Sequence, residues 1–367
     1  MSDELPDDDP SADDLPAVDD ATKPDDFVKP GDDADDLAAV VPKHSTEVAI
    51  ASLRDEGVYD DDRRVQEYST ETVALPVTDP PNSTDVLDVV RQTDPEPRAP
   101  DLETLLRERG WDDEAVAAAP ASWAVVGSVI LVSLDGWTDE QEQDIGESLL
   151  ELHGEADTVC AHGGVSGELR QPDTRVVAGL GDTETVHTEH GTRYSLDLAK
   201  VMFSPGNQAE RARMGEVVEE DEEVLDMFAG IGYFTLPMAR AGAQVTAVEK
   251  NPESFRFLGE NANLNGVLDR VSLILGDCRE VEATADRVVM GYYDAHEYLD
   301  AALDALEPGG ILHLHEATPE DRLWERPVSR IREAAAARGR TVEILDRRRV
   351  KSHSEGVWHV VVDARID

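Results

Sequence analysis

Three carboxylates stand at comparable places in the C-terminal half of this chain, each at or just beyond the end of a short apolar run. Asp226 follows Val224-Leu225, Glu249 follows Gln244 to Val248, and Asp277 comes shortly after Val271 to Leu275. Gly230 and Gly232 lie beyond the first acid, and Phe234, Leu236, Met238 and Ala239 then take up a pattern compatible with a helix. The reading is strand, tight turn, helix, with glycines that let the backbone pass close to a ligand at the carboxyl end of the strand. An acid closing the second strand can take both hydroxyls of a ribose, and Asp277-Cys278 can face a nucleoside base. A Gly-x-Gly pair alone suits a purely structural turn equally well; the ordered set Asp226, Gly230, Gly232, Glu249 and Asp277 is far more restrictive. A dinucleotide fingerprint would need a third glycine where Thr235 stands. Its absence, with an acid inside the first turn, favours S-adenosylmethionine over a nicotinamide cofactor.

Further candidates surround this set. Many amino-group methyltransferases end the fourth strand with an Asn or Asp that accepts hydrogen bonds from the target amine; here that stretch is Met290-Gly291-Tyr292-Tyr293. It has aromatics but no side-chain acceptor, which disfavours transfer to a nitrogen and favours a slot for a flat base. His296 follows the aromatic pair, either to contact substrate and accept a proton or simply to start a helix. His313 and His315 alternate along one strand beside Glu316, but no clear third ligand accompanies them, so buried, hydrogen-bonded histidines are expected rather than a metal. Upstream, Ser204 can cap a helix from about Asn207 that carries Arg211 and Arg213, able to hold a carboxylate or phosphate; the alternative is a solvated helix with a Glu210–Arg213 pair. Ten Arg and Lys side chains lie between Arg322 and Lys351, including Arg347, Arg348, Arg349 and Lys351. They form a candidate phosphate-contacting surface, unless Glu343, Asp346 and Glu355 neutralise them.

The elements that must position these groups alternate. Strands at 223–226, 244–248, 271–275, 285–290 and 311–316 are interleaved with helices, and 341–346 with 357–364 closes as an antiparallel hairpin. This is an α/β, Rossmann-like class I fold with a mainly parallel seven-stranded sheet. Five segments are expected: an acidic, disordered leader over 1–40, a small α+β module over 41–78, a Pro/Asp/Thr-rich linker over 79–100, a middle α+β segment over 101–196, and the cofactor-binding domain over 197–367. Within the middle segment, 102–110 and 141–152 read as helices, Trp123 to Leu134 as one buried strand, and 185–197 as a hairpin.

Asp and Glu number 80 against 33 Lys and Arg, a formal net charge of −47. Such a charge repels a polyanion in dilute buffer, but molar salt shortens the Debye length to about 3 Å, so nucleic acid stays open as a partner and a salt-rich cytoplasm is the expected setting. Two cysteines, Cys160 and Cys278, exclude a disulfide framework and point to a reducing compartment. No signal segment opens the chain, and its most membrane-like window is broken by Pro120, Ser122 and Gly127.

Met202-Phe203-Ser204-Pro205-Gly206-Asn207 with Glu210-Arg211, Asp226-Met227-Phe228-Ala229-Gly230-Ile231-Gly232, Glu249-Lys250-Asn251-Pro252 and Met290-Gly291-Tyr292 resemble the archaeal tRNA wybutosine-synthesising aminocarboxypropyltransferases. These are relatives of the tRNA guanine-N1 methyltransferases that act on the purine 3′ to the anticodon. The resemblance is strong from Asp197 onward and loose before it. It implies that S-adenosylmethionine donates its 3-amino-3-carboxypropyl group to C7 of 4-demethylwyosine at position 37 in the anticodon loop of phenylalanine tRNA, releasing 5′-methylthioadenosine. Ser204 and Arg211 would fix the donor's amino-acid end, Glu249 the ribose, and Asp277 with Cys278 the adenine; Cys278 replaces a more polar residue, which a backbone contact tolerates. Asn207, Tyr292 and Tyr293 would meet the substrate base, and the protein would act as a monomer without metal or membrane. Guanine-N1 methylation and a catalytically silent tRNA-binding module are the alternatives.

Overall fold

The computed structural model describes residues 27–30, 35–98 and 100–367; residues 1–26 and 31–34 of the expected leader lie outside the described residues. The chain divides after Asp101 into two compact units. The first contains β1 (Phe27–Val28), β2 (Leu37–Pro42), α1 (Thr46–Asp55), β3 (Gln66–Glu67), β4 (Thr72–Pro76) and β5 (Asp88–Gln92). Its antiparallel sheet has the order β1-β5-β2-β4-β3. Leu37, Ala39 and Val41 pack on α1 through Ala49 and Leu53, while Ala38 and Val40 face Phe27, Tyr68, Ala74 and Val90. Burial on both faces is why β2 reads as an unbroken apolar run.

Two expectations change here. Residues 37–40, assigned to the leader, form the start of that central strand, and the expected linker over 79–100 contains β5, which pairs with β2 and buries Val90. The five residues of β5 are outnumbered by the Pro, Asp and Thr around them, so average composition hides them.

The second unit runs from Leu102 to Asp367. It opens with α2 (Leu102–Glu108), α3 (Asp113–Ala118), β6 (Trp123–Val126), β7 (Val129–Val132), α4 (Asp139–Leu152), β8 (Thr158–Ser166) and β9 (Gln171–Gly179), followed by the hairpin of β10 (Glu184–Glu189) and β11 (Thr192–Asp197). Trp123 to Leu134 is thus a hairpin turning at Gly127-Ser128, not one strand. A capping box at Thr138 and Gln141 starts α4. No break falls at the expected 196/197 boundary, because Asn261, on a helix beyond it, hydrogen-bonds the backbone of Ser195 in both directions, at 2.6 and 3.0 Å.

The core follows as α5 (Gln208–Val217), β12 (Glu223–Asp226), α6 (Thr235–Arg240), β13 (Gln244–Glu249), α7 (Pro252–Leu264), β14 (Val271–Leu275), β15 (Ala285–Met290), α8 (Leu299–Ala305), β16 (Leu306–Pro319), α9 (Glu325–Ala336), β17 (Val342–Ser354) and β18 (Val357–Ile366). The seven strands take the order β14-β13-β12-β15-β16-β18-β17, the first five parallel and β18 antiparallel to both neighbours, as expected for the class I fold. Successive residues of β12 serve opposite cores: Val224 packs with Val245, Ala247 and Phe257, and Leu225 with Val288, Leu312 and Ile331.

The turn after β12 is sewn to both flanking strands, Met227 N donating to Val289 O at 3.0 Å and Ala229 N to Val248 O at 3.0 Å. Gly230 and Gly232 sit at φ +58° and +104°. A Cβ at Gly232 would lie 2.7 Å from Leu236 Cγ, inside the core. Gly232→Ala is therefore expected to lower the unfolding free energy by about 2 kcal/mol, measured by denaturant titration in molar salt.

Candidate active site

A cavity of 460 Å³ opens at the carboxyl ends of the parallel strands, lined also by the β8–β9 turn and the segment Met202–Asn207. Strand order divides it into two ends. On the β12–β14 side lie Gly230, Glu249, Asp277 and Cys278; on the β15–β18 side lie Tyr292, Tyr293, His315, Lys351, His353 and His359.

At the first end, Glu249 Oε2 accepts from Gly230 N at 2.7 Å and Oε1 from Asn251 N at 2.6 Å. Each oxygen keeps a second lone pair, so the carboxylate can still receive two hydroxyls. Burial pushes its pKa up, against those backbone donors. The Asp277 carboxylate accepts from Arg279 Nη2 at 2.6 Å and Lys250 Nζ at 3.2 Å, and Arg279 above all holds its pKa well below the usual range. Burial pushes the Cys278 thiol up to about 12, so it stays neutral there.

Asp226 and Gly232 shape this end without lining it. Asp226 is wholly buried, accepts from Thr235 Oγ1 at 2.7 Å and Phe228 N at 3.3 Å, and is pushed by burial up to about 6. Their expected cofactor contact is corrected to a supporting role: Asp226 ties the turn to the start of α6.

At the other end, Tyr292 packs with Phe228 and Tyr298, ring centroids 5.2 and 6.4 Å away, and Tyr293 meets His353 and His359 edge-on at 4.6 and 4.9 Å. Ser204 and Asn207 both line the cavity, and Asn207 Oδ1 is buried without a partner. Ser204 makes no capping bond; its hydroxyl receives Lys351 Nζ instead. Burial, then Arg211 and Arg170, lowers the Lys351 pKa.

Several expected site residues are engaged elsewhere. Arg211 does not line this cavity: its guanidinium is buried, held by Glu189 at 2.6 and 2.7 Å and by Ser204 O at 3.0 Å, over the Phe203 ring. It fixes the segment that carries Ser204, with its charge matched by Glu189. His296 is also outside the cavity, and Arg330 and Glu316 dominate its charged surroundings. Of the basic run, Arg348 is an internal strut between Glu210 (2.8 Å), Asp346 (3.1 Å) and Asp363 (2.7 Å). Arg213 pairs with Asp363 at 2.9 Å rather than with Glu210. Arg349 lies over Trp358, 3.7 Å from Glu320, and Arg347, like Arg322 and Arg332, is exposed without an ion-pair partner among the described residues. His313 joins the strut's network, bonding Asp363 at 2.7 Å and Arg287 at 2.6 Å.

Arg170, His353 and His359 were not legible beforehand. Arg170 sits at φ +55° in the β8–β9 turn, 5.6 Å over Tyr293, and has no carboxylate partner among the described residues. His359 lies opposite Lys351 and, on the same face, diagonal to His315; the β16–β18–β17 register was the one signal that could have found it.

The sheet order, the glycine turn and the acids after β12, β13 and β14 define a class I S-adenosylmethionine-dependent transferase. Residues 185–345 match the TRM5/TYW2 methyltransferase domain and residues 96–183 the TYW2 N-terminal domain. The chain is 42% identical over 258 residues to the tRNA(Phe) (4-demethylwyosine(37)-C(7)) aminocarboxypropyltransferase of Pyrococcus horikoshii, covering 69% of this chain and 92% of that one. The solved P. horikoshii TYW2 in complex with MeSAdo matches at TM-score 0.64 and 38% identity, over 71% of this chain and 96% of that one. Trm5b from Pyrococcus abyssi matches at TM-score 0.70 and 31% identity, over 90% and 99%. The chain belongs to the TYW2 family of tRNA aminocarboxypropyltransferases, with Trm5 methyltransferases among its relatives.

Two outcomes test the roles reassigned above. Arg348→Met leaves Glu210 buried without its cation and should cost about 3 kcal/mol of stability, while the salt dependence of tRNA binding stays unchanged. Asp226 has its folded pKa raised from 3.8 to about 6, so its contribution is full below about pH 3.8 and lost as pH rises through 6. Asp226→Asn should remove that decline, read as unfolding midpoints between pH 4 and 7.

Proposed function

We infer that the protein transfers the 3-amino-3-carboxypropyl group of S-adenosylmethionine to C7 of 4-demethylwyosine at position 37 of phenylalanine tRNA. The observation that carries this reading is a nucleoside-sized cavity in which the stretch closing β15, Met290-Gly291-Tyr292-Tyr293, offers aromatic faces and no Asn or Asp to accept from an amine. Glu249 is suited to the ribose, and Asp277 with the backbone at Cys278 to the adenine. Since Arg211 is engaged by Glu189, we assign the donor's carboxylate to Lys351 and Arg170, the cations left at the cavity without a carboxylate partner. Tyr292 and Tyr293 offer flanking faces for the flat base, and Asn207 Oδ1 an acceptor.

A sulfonium has three electrophilic carbons, and the rate of attack on each depends on which one lies in line with the nucleophile. Anchoring the carboxylate at the acceptor end stretches the longest arm across the mouth toward the base. Ring carbon then attacks the arm's γ carbon, the C–S bond breaks with its electrons to sulfur, and neutral 5′-methylthioadenosine leaves.

We further take the anticodon loop as the contacted part of the tRNA, Arg347 and Arg349 as phosphate contacts, and the protein as a monomer of a salt-rich cytoplasm. The −47 charge supports that setting, because at low ionic strength it would repel RNA. No helix among the described residues is long and apolar enough to cross a membrane.

The decisive experiment supplies precursor tRNA in molar salt with donor labelled separately in methyl and carboxyl groups. Carboxyl label entering RNA is expected; methyl label entering RNA would select guanine-type methylation instead. Lys351→Met should weaken donor binding about tenfold, roughly 1.4 kcal/mol. In wild-type protein, affinity should fall as alkaline pH passes the depressed Lys351 pKa, since a bound carboxylate needs the charged amine; calorimetry at stepped pH reads both.

A further inference from the structure

Two buried histidines stand at the acceptor end of the cavity. His315 Nδ1 and His359 Nε2 are 3.0 Å apart, each residue is 1% exposed, and both line the cavity. Their outer nitrogens, His315 Nε2 and His359 Nδ1, are buried with no hydrogen-bond partner. Among the described residues no carboxylate bonds to the pair, unlike His313 with its Asp363. Around it lie Tyr293, 4.9 Å from His359, Phe234, 5.1 Å from His315, and the charged or titratable groups Lys351, His353, Arg348, His313, Glu210 and Asp363.

Burial above all lowers both rings, His315 to about 3 and His359 to about 2, so each is neutral at physiological pH. Two neutral imidazoles joined by one hydrogen bond leave one outer nitrogen with a hydrogen and the other with a lone pair. Those roles exchange when the first outer nitrogen gains a proton, the shared proton crosses, and the second outer nitrogen gives its proton up. As struts the rings would leave two buried polar atoms unsatisfied, at about 1–3 kcal/mol each. A proton relay has use for both.

We propose that the His315–His359 pair takes the proton that the acceptor's ring carbon must lose, and passes it on through the shared hydrogen bond. This rests on the aminocarboxypropyl reading. After the C–C bond forms and the C–S electrons go to sulfur, the attacked carbon still holds its hydrogen and the ring is cationic. The lone pair of one outer nitrogen takes that proton, and the C–H electrons restore the aromatic ring. The shared proton then shifts to the second histidine, whose outer N–H proton passes to water entering the cavity, and the reverse shifts from solvent reset the pair once product has left. A proton on such a cationic carbon is strongly acidic, so a base of low pKa suffices and need not compete for solvent protons.

The test uses acceptor tRNA carrying hydrogen or deuterium at the reacting carbon. His359→Gln and His315→Gln keep polar side chains that cannot relay a proton. Each should lower kcat about 100-fold or more, hold the donor Kd within about twofold, and raise the isotope effect at that carbon well above the wild-type value. Full turnover in both variants, or a loss of rate without a larger isotope effect, would overturn the relay. If wild-type protein moves carboxyl label while the variants behave normally, only the relay falls; if wild-type moves none, the transfer reading falls with it. Should the variants fail to fold, nitrogen-15 spectra of the wild-type rings decide: two neutral, mutually bonded imidazoles at neutral pH are expected, and a persistently charged ring would refute the proposal.

Discussion

Two guanidiniums, Arg211 buried and Arg348 half-buried, hold the segment Met202–Asn207 where the cavity needs it. Arg211 binds Glu189 of β10 and the Ser204 carbonyl, and Arg348 of β17 binds Glu210 of α5 and Asp363 of β18. The segment lies between a hairpin that precedes the seven-stranded sheet and the last two strands of that sheet, so neither clamp alone could fix it. Charges taken out of water are costly unless paired with good geometry, and removing one partner leaves the other stranded. The arrangement therefore tolerates few alternatives, which suits a wall carrying Ser204 and Asn207 at ångström tolerance.

The same clamps explain the polarity of the cavity. With Arg211 and Arg348 neutralised by Glu189, Glu210 and Asp363, the cations left at the acceptor end are Lys351 and Arg170, and Lys351 is already lowered by burial and then by Arg211 and Arg170. The opposite end is acidic, with Glu249 raised by burial and Asp277 lowered by Arg279. A zwitterionic nucleoside with a carboxylate at one extremity and ribose hydroxyls at the other fits that gradient in one direction. The −47 net charge belongs to the surface, where salt screens it.

How much of this could be read in the sequence depends on how local each interaction is. The strand, turn and helix at 223–239 carry their signal within one window, so Asp226, Gly230, Gly232 and Glu249 fell at the right turns. Whether each touches a ligand was not readable: Asp226 faces Thr235 inside the turn. The arginines were misjudged because partners such as Glu189 for Arg211 and Glu210 for Arg348 are distant in sequence, and charge type says nothing of pairing at that range. β5 was lost in polar surroundings. His359 depended on the register of β16 with β18, which a single sequence does not supply.

On the proposed assignment, the C-terminal hairpin would also carry the difference between a methyl donor site and one that uses the longer arm. In the parallel strands β12 to β14, the groups facing a donor are those any nucleoside sulfonium requires, and they do not discriminate among its three carbons. Discrimination has to come from where the amino-acid end is anchored, and the side chains able to do that, Lys351 with Ser204 beside it, lie across the cavity on β17 and the clamped segment. An anchor there lengthens the path from sulfur to carboxylate across the acceptor's position. One placed back toward β12 would fold the arm away and leave the methyl exposed. On the proposed reading, reaction type would follow from where Lys351 on the last strand pair and Arg170 in the β8–β9 turn stand, rather than from the nucleotide-binding turn.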